Sequence, residues 1–150
     1  MCLIIKRTKH RDLKPRIAKK DIVVFKYLDI PCTFRDKPIK MCKKFFPPII
    51  GKLFTYRLNK KYTTKLGVNG ILVHEGFHAY ISPLPPLEKA LHHMDTVIAV
   101  GIIPAGSEYY IGTDSEIVGN NIIIQQVYKP KEFNHQFNFI LTSIKTKLTI

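Results

Sequence analysis

The sequence has no tryptophan, only three cysteines and only 11 acidic residues in 150. The cysteines, Cys2, Cys32 and Cys42, are odd in number and form no Cys-x-x-Cys pair. This usage favours a reducing compartment, the cytoplasm, over a disulfide framework. No apolar run approaches the roughly 18 residues that predict a membrane-spanning helix, and the apolar start is too short for a signal-peptide core. We therefore expect neither a secreted disulfide scaffold nor a membrane span.

Length and composition indicate one folded domain. A chain of 150 residues has the usual size of a single domain, and a hydrophobic content of 45% argues against general disorder. We expect residues 1–20 to form a basic N-terminal arm, or a strand followed by a loop. Residues 21–150 are expected to form a compact core.

Positive charge is concentrated in the first part of the chain. Residues 1–66 contain 19 basic and 4 acidic residues, a net charge of +15, whereas residues 67–150 contain 5 and 7, a net charge of −2. This asymmetry predicts an anionic partner: a nucleotide, a nucleic acid or an acidic protein. The alternative is a solvated surface that serves solubility. The predicted basic patch comprises Lys6, Arg7, Lys9, Arg11, Lys14, Arg16, Lys19, Lys20, Lys40, Lys43 and Lys44.

The hydrophobic pattern is typical of many short strands. Runs rich in β-branched and aromatic residues alternate with proline and glycine turns. A proline-rich stretch, residues 29–52, predicts a long irregular connection, and the chain is expected to break at residues 129–131. The predicted strands are residues 21–28, 53–57, 71–74, 77–81, 96–103, 108–111, 117–118, 121–127 and 144–150.

One short amphipathic helix is predicted, over about residues 86–95. Pro85 and Pro86 are tolerated in its first turn, where the missing N–H groups have no helical partner. One helix among many strands predicts an α+β fold with a mostly antiparallel sheet. The apolar stripe at helical spacing consists of Leu87, Ala90, Leu91 and Met94.

Residues 74–78 match the zinc-peptidase pattern H-E-x-x-H. In that pattern two histidines four apart on a helix bind zinc, and the glutamate activates a water molecule. His74 and His78 are the candidate ligands here, and Glu75 is the candidate base. Gly76 and the nearby strand and proline signals disfavour a helix, however. The other interpretation is a turn that leads into a strand, with His78 hydrogen-bonded in a cleft.

Cys2 is a second candidate catalytic residue. Removal of Met1 would leave Cys2 at the N-terminus, where one residue carries both a nucleophile and a base, as in N-terminal-nucleophile hydrolases. The glycine-rich continuation expected in those enzymes is missing. The alternative is a small apolar residue at the start of a strand.

Four segments together resemble a family of small uncharacterised proteins from bacteriophages and from gut bacteria of the Bacteroides type. They are residues 21–28, 75–80 (EGFHAY), 103–112 (IPAGSEYYIG) and 116–124 (EIVGNNIII), and the resemblance covers residues 1–5 and 21–127. In the family pattern the positions of Gly76, Phe77 and His78 are fixed and that of His74 is not. The resemblance brings no established activity. It implies a phage or mobile-element setting, hence the host cytoplasm or a virion.

A mixed polar and aromatic cleft is the candidate ligand site. We expect it to be lined by His78, Tyr80, Glu108 and one of Tyr109 and Tyr110, which point to opposite faces of a strand. Such a lining suits a nucleotide-like ligand. The leading hypothesis is a non-enzymatic binding module for an anionic partner, without a cofactor. The alternatives are a zinc hydrolase, a small nucleotide-using transferase of the ADP-ribosylating kind, and a virion structural component.

Overall fold

The structure, a computed structural model, describes residues 3–5, 14–47 and 54–136. Residues 130–136 are helical, and two short 3-10 turns span Cys32–Phe34 and Ile39–Met41. The remaining elements are β1 (Leu3–Ile4), β2 (Arg16–Ile17), β3 (Ile22–Asp29), β4 (Lys61–Thr63), β5 (Gly67–Asn69), β6 (Leu72–Glu75), β7 (Phe77–Tyr80), α1 (Leu84–His92), β8 (Thr96–Ile103), β9 (Glu108–Ile111), β10 (Glu116–Gly119) and β11 (Asn121–Tyr128).

Two antiparallel sheets organise the described residues. The larger sheet has eight strands in the order β2-β9-β10-β7-β3-β8-β11-β4, and the smaller has three in the order β1-β6-β5. The longest pairing joins β3 to β8 and runs from Ile22 opposite Ile103 to Asp29 opposite Thr96. The predicted α+β class with a mostly antiparallel sheet is therefore confirmed.

Alternation along β3 assigns its side chains to two different cores. Val24 and Leu28 enter the main core, which the irregular segment between β3 and β4 covers with Phe45 and Tyr56. Phe25 points to the opposite face, where it packs with α1 and with the helical residues 130–136. Successive side chains of a strand point to opposite faces, so an apolar run such as β3 indicates burial on both sides.

The smaller sheet covers another part of the large sheet. Leu3 of β1 and Val73 of β6 pack against Tyr110 and Val118 of β9 and β10. A bridge between Ile5 and Gly112 ties the first strand to the end of β9. The N-terminal residues thus help to build the core beside β7.

The predicted helix is present, with bounds that differ by two or three residues. It ends at His92, because His93 is extended and Asp95 adopts a positive φ of 59° at the turn into β8. Met94 therefore lies outside the helix and is 70% exposed, and Leu91 is 50% exposed. The residues that α1 buries are Pro86, Leu87 and Ala90.

Several strand predictions need correction. Residues 54–57 contain no strand, only a single bridge between Phe45 and Tyr56. Residues 129–131 were expected to interrupt regular structure, and β11 does end at Tyr128, but only Lys129 is irregular, because Pro130 occupies the first turn of a helix, where its missing N–H costs nothing. Strands β2, β4 and β5 were not predicted, since they are only two or three residues long and mostly exposed. The predicted strand at 144–150 lies outside the described residues.

Candidate functional site

The large sheet opens at its centre, between β3 and β7. Pairing between these neighbours is limited to Phe25 opposite Tyr80. Beyond that pair, the ammonium group of Lys26 donates a hydrogen bond to the main-chain carbonyl of His78. A side chain thus supplies a donor at a position where regular pairing would use a main-chain N–H group.

A cavity of about 380 Å³ lies at this opening. Ligand cavities usually have about 300–1,000 Å³ and are mostly apolar with a few polar groups. Five aromatic residues provide most of the apolar wall here, and two histidines, two glutamates, two threonines and one lysine provide the polar groups. The lining comprises Lys26, Tyr27, Pro47, Phe54, Tyr56, Thr63, Thr64, His74, Glu75, Gly76, Phe77, His78, Ala79, Tyr80 and Glu116.

The aromatic wall is a network of rings, in which Phe77 makes tilted contacts and the other pairs are in edge-to-face contact. Phe54 lies 4.9 Å from Tyr56 and 6.1 Å from Phe77, measured between ring centroids. Tyr62 stands behind them, 5.3 Å from the ring of Phe54 and 5.3 Å from that of Tyr56. Edge-to-face contacts of this kind hold rings in fixed orientations. The wall of the cavity that faces the main core is therefore ordered by ring–ring contacts.

Lys26 is the unusual residue of the cavity, because it occupies an inward position of a buried strand. It shares a face of β3 with Val24 and Leu28, and its ammonium nitrogen lies 5.9 Å from the centroid of the Tyr56 ring. The residue as a whole is partly buried, but its ammonium group is enclosed, and burial lowers the pKa of Lys26 to about 8.

No carboxylate among the described residues forms an ion pair with this ammonium group. Within residues 3–5, 14–47 and 54–136 the one ion pair joins Arg35 to Asp95, at 2.7 Å. The only acceptor that reaches Lys26 in these ranges is the His78 carbonyl. A desolvated charge is costly unless it is paired. The site therefore holds a cation whose counter-ion the described protein does not supply.

His78 contributes a second unsatisfied group. Its Nε2 atom is buried and has no hydrogen-bond partner in the part of the chain that the structure describes. Burial, and then the charge of Lys26, lower the pKa of His78 to about 4, so its imidazole is neutral at pH 7. The expectation that this side chain is hydrogen-bonded is therefore wrong for Nε2. Buried polar atoms without partners are uncommon in folded proteins.

Residues 74–78 do not form the helix that the zinc pattern requires. His74 ends up on β6 and His78 on β7, with Gly76 between them at a positive φ of 143°. The interpretation as a turn into a strand is thus confirmed. Across the described ranges, no group of three or more histidine, cysteine, aspartate or glutamate side chains has the geometry to hold a metal ion. His74 and Glu75 nevertheless line the cavity together with His78.

The predicted cleft is only partly assembled. His78 and Tyr80 line the cavity, but Glu108, Tyr109 and Tyr110 do not. These three belong to β9, which β10 separates from β7, and two strand spacings place β9 about 10 Å away.

Side-chain alternation in a strand at the surface would leave one of the two tyrosines of β9 facing solvent, and the structure differs. Tyr109 and Tyr110 do point to opposite faces, but neither faces solvent freely. Tyr109 packs against the main core, and Tyr110 is buried in the core under the smaller sheet. Glu108 is exposed opposite Ile17 of β2. Both faces of β9 are covered, which the local sequence does not reveal.

Sequence reasoning missed Lys26 and Glu116, two charged members of the site. Lys26 could have been recognised from the sequence, because alternation along the apolar strand puts it on the same face as Val24 and Leu28. Glu116 lies opposite Tyr80 across β10 and β7, a relationship that only the sheet register defines. Burial, and then nearby Asp114, raise the pKa of its carboxyl group.

Lys89 of α1 contacts two aromatic residues of the cavity wall, Tyr27 and Tyr80. The ammonium nitrogen of Lys89 lies 5.3 Å from the ring centroid of Tyr27 and 5.9 Å from that of Tyr80. It also donates a hydrogen bond of 3.5 Å to the Tyr80 hydroxyl. Cation–π contacts at both rings couple the helix to the cavity wall.

The predicted basic patch is not one surface: Arg16 lies on β2 at one edge of the large sheet, whereas Lys40 and Lys43 line a groove beside β11, near the opposite edge. Lys6, Arg7, Lys9 and Arg11 lie outside the described residues, as does Cys2. A groove of about 610 Å³ is lined by Lys40, Lys43 and Arg57 with two glutamines and without a carboxylate. The described members of the predicted patch are all exposed: Lys14, Arg16, Lys19, Lys20, Lys40, Lys43 and Lys44.

Comparison with known proteins gives no relative: no family model, no curated protein and no solved structure matches the chain. Among the described residues, none of the helices has the length and apolar character to cross a membrane.

Proposed function

We propose that the chain is a non-enzymatic binding domain whose cavity takes a small, planar, anionic ligand of the nucleotide kind. One observation carries the proposal: the desolvated ammonium group of Lys26 has no counter-ion in the described protein and belongs to an aromatic cavity. An acidic group on the ligand would compensate this charge, and an aromatic ring on the ligand would pack against Phe54, Tyr56 or Tyr80.

Charge and size favour a ligand with a single acidic group. Glu75 and Glu116 also line the cavity, so a ligand with a chain of two or three phosphates meets more repulsion there than a ligand with one phosphate. The neutral imidazole of His78 offers a further hydrogen-bond partner to a base or ring nitrogen. A nucleoside monophosphate, with one ring system and one phosphate, combines these features. The phage-like setting implied by the sequence resemblance is part of the same proposal.

The direct test is isothermal titration calorimetry with nucleoside 5′-monophosphates and the corresponding nucleosides. At least one monophosphate should bind more tightly than its nucleoside, and Lys26→Met should weaken its binding by about 10-fold or more. Lys19→Met, which removes an exposed lysine outside the cavity, should leave the affinity unchanged. Circular dichroism checks that both variants fold.

Two results would overturn the proposal. One is the absence of binding by every monophosphate. The other is equal affinity in the native chain and in folded Lys26→Met. Native mass spectrometry of the purified chain adds an independent readout, because a ligand that co-purifies shifts the mass of the native chain and not that of Lys26→Met.

The basic groove favours a second candidate function, nucleic-acid binding. Three cations, Lys40, Lys43 and Arg57, share the groove with Gln125 and Gln126 and no acidic residue. Phosphate contacts would make affinity fall steeply with salt, because bound counter-ions are released. The test is the salt dependence of binding to single-stranded RNA and DNA. Reversing the groove charges with Lys40→Glu and Lys43→Glu should reduce the affinity and flatten its salt dependence. An affinity that changes neither with salt concentration nor with these substitutions would exclude this function.

A further inference from the structure

We propose that the ligand of the cavity is a carbonyl compound, and that its aldehyde or ketone carbon forms a reversible imine with the amine of Lys26. The inference rests on the proposed function, because it keeps the ring and the acidic group of that ligand and adds a reactive carbonyl group, which a nucleoside monophosphate lacks. Lys26 is the only lysine among the described residues that line the cavity, so the reacting amine is defined.

The position of the amine suits this chemistry better than that of a surface lysine. Its nitrogen is enclosed beside the Tyr56 ring, 5.9 Å from the centroid, and it is held by one hydrogen bond to the His78 carbonyl. Lysines that form imines are typically desolvated in apolar pockets, because desolvation increases the fraction of neutral, nucleophilic amine. Lys19 and Lys20 are exposed and lack such surroundings.

The proposed step balances without an oxidant or a reductant. The lone pair of the neutral amine forms a bond to the carbonyl carbon, and a proton moves from nitrogen to the former carbonyl oxygen. The resulting carbinolamine loses that oxygen as water when the carbon–nitrogen double bond forms. Amine and carbonyl thus become imine and water. Glu116 and His78, which line the same cavity, are the candidate groups that carry the protons.

A purely structural role for Lys26 is the competing interpretation. The ammonium group would then only satisfy the His78 carbonyl at the place where β3 and β7 separate. A structural lysine keeps its hydrogen bond and its amine reacts no faster than others. An imine-forming lysine reacts selectively with aldehydes that fit the cavity, so the two roles predict different labelling patterns.

The experiment compares two probes on the full chain. Pyridoxal 5′-phosphate has a ring, a phosphate and an aldehyde, and pyridoxine 5′-phosphate has an alcohol in place of the aldehyde. The chain is incubated with the aldehyde at low concentration, reduced with sodium borohydride, digested and mapped by mass spectrometry. We expect the adduct at Lys26 to form about 10-fold or more faster than at Lys19 or Lys20. Excess pyridoxine 5′-phosphate should suppress labelling at Lys26 alone.

The outcomes separate the imine from the binding function. Equal labelling of Lys26 and the exposed lysines, with pyridoxine 5′-phosphate still bound in native mass spectrometry, overturns the imine and leaves the binding function intact. Absence of binding by either probe, and by the nucleotides above, overturns both. Lys26→Arg keeps a cation and should lose the fast-labelled site. The competition measurement needs no variant, so it decides the question even where a substitution impairs folding.

Discussion

Lys26 on β3 donates a hydrogen bond from its ammonium group to the main-chain carbonyl of His78 on β7. This bond crosses the opening that follows the single β3–β7 pair of Phe25 and Tyr80. Each residue changes the ionisation of the site, because both are desolvated and Lys26 also repels a proton on His78. The pH dependence of stability should therefore report on Lys26 above neutral pH and on His78 in acid.

The stability of the chain should increase above neutral pH because of Lys26. Its pKa is about 8 in the folded state, against an ordinary value of 10.5. Below pH 8 both states carry the proton and the desolvation cost is fully present. Between pH 8 and 10.5 the folded state releases the proton first, so the free energy of unfolding rises.

Urea unfolding at pH 7.0 and 9.5 measures this effect. The native chain should gain about 1–2 kcal/mol relative to Lys26→Met over this interval. Comparison of the two proteins cancels the contributions of other titrating groups. The same pH dependence in both proteins would show that the Lys26 ammonium is solvated in the folded state.

His78 should make the chain less stable in acid. Its pKa is about 4 in the folded state, against an ordinary value of 6.5. The contribution is fully present above pH 6.5 and is lost as the pH falls towards 4, because the unfolded state binds the proton first. Since the residue is partly exposed, we expect a loss of about 1–2 kcal/mol.

Urea unfolding of the native chain and of His78→Phe at pH 7.0 and 4.5 isolates the contribution of His78 to the free energy of unfolding. The variant should lose less stability on acidification than the native chain, and His92→Phe, on an exposed position of α1, should behave as the native chain does. Identical acid sensitivity in His78→Phe and the native chain would contradict the prediction.

Gly76 should be intolerant of a side chain, for two separable reasons. It adopts a φ of 143°, and a Cβ there would lie 2.6 Å from Val118 Cγ2 and 2.8 Å from Leu66 Cδ2. Gly76→Ala should therefore destabilise the chain by about 2 kcal/mol or more. Gly70→Ala is the control, because Gly70 has a positive φ of 62° but open space around it. Equal losses in thermal or urea unfolding would show that crowding at Gly76 is relieved.

The proline-rich segment before β4 should act as a structural layer. Phe45 lies in it and is fully buried in the main core. Phe45→Ala should lower the free energy of unfolding by about 3–5 kcal/mol, because it leaves a cavity. Met41→Ala, at a position that is 52% exposed, should change it by no more than about 0.5 kcal/mol. A small effect at Phe45 in urea unfolding would mean that the segment detaches easily.

The sequence predicted elements well where burial itself creates the pattern. Strand β8 is a continuous apolar run and its bounds match the prediction, since all its residues except Ile102 are buried. Prediction was weakest where apolar residues are exposed, as with Leu91 and Met94, and where short edge strands are polar, as with β4. The exposure and the strand pairing of these positions depend on residues that are distant in the sequence.

For the site, the sequence identified His78 and Tyr80 but not what surrounds them. Strand order places β9 two strands away, so Glu108 could not join them. Phe54 and Tyr56 come from a segment that local pattern assigned to a strand, and register alone brings Glu116 opposite Tyr80. Lys26 was recognisable in principle, because a charged residue on the inward side of an apolar strand needs a compensating contact.

The single pair of Phe25 and Tyr80 has a consequence for how the domain opens. It is the only pairing that joins β2-β9-β10-β7 to β3-β8-β11-β4 among the described strands. Two four-stranded halves that share so few main-chain hydrogen bonds should exchange their amide protons as two separate cooperative units. A molecule seated between Lys26 and Tyr80 would contact both halves, and it would slow exchange in strands far from itself.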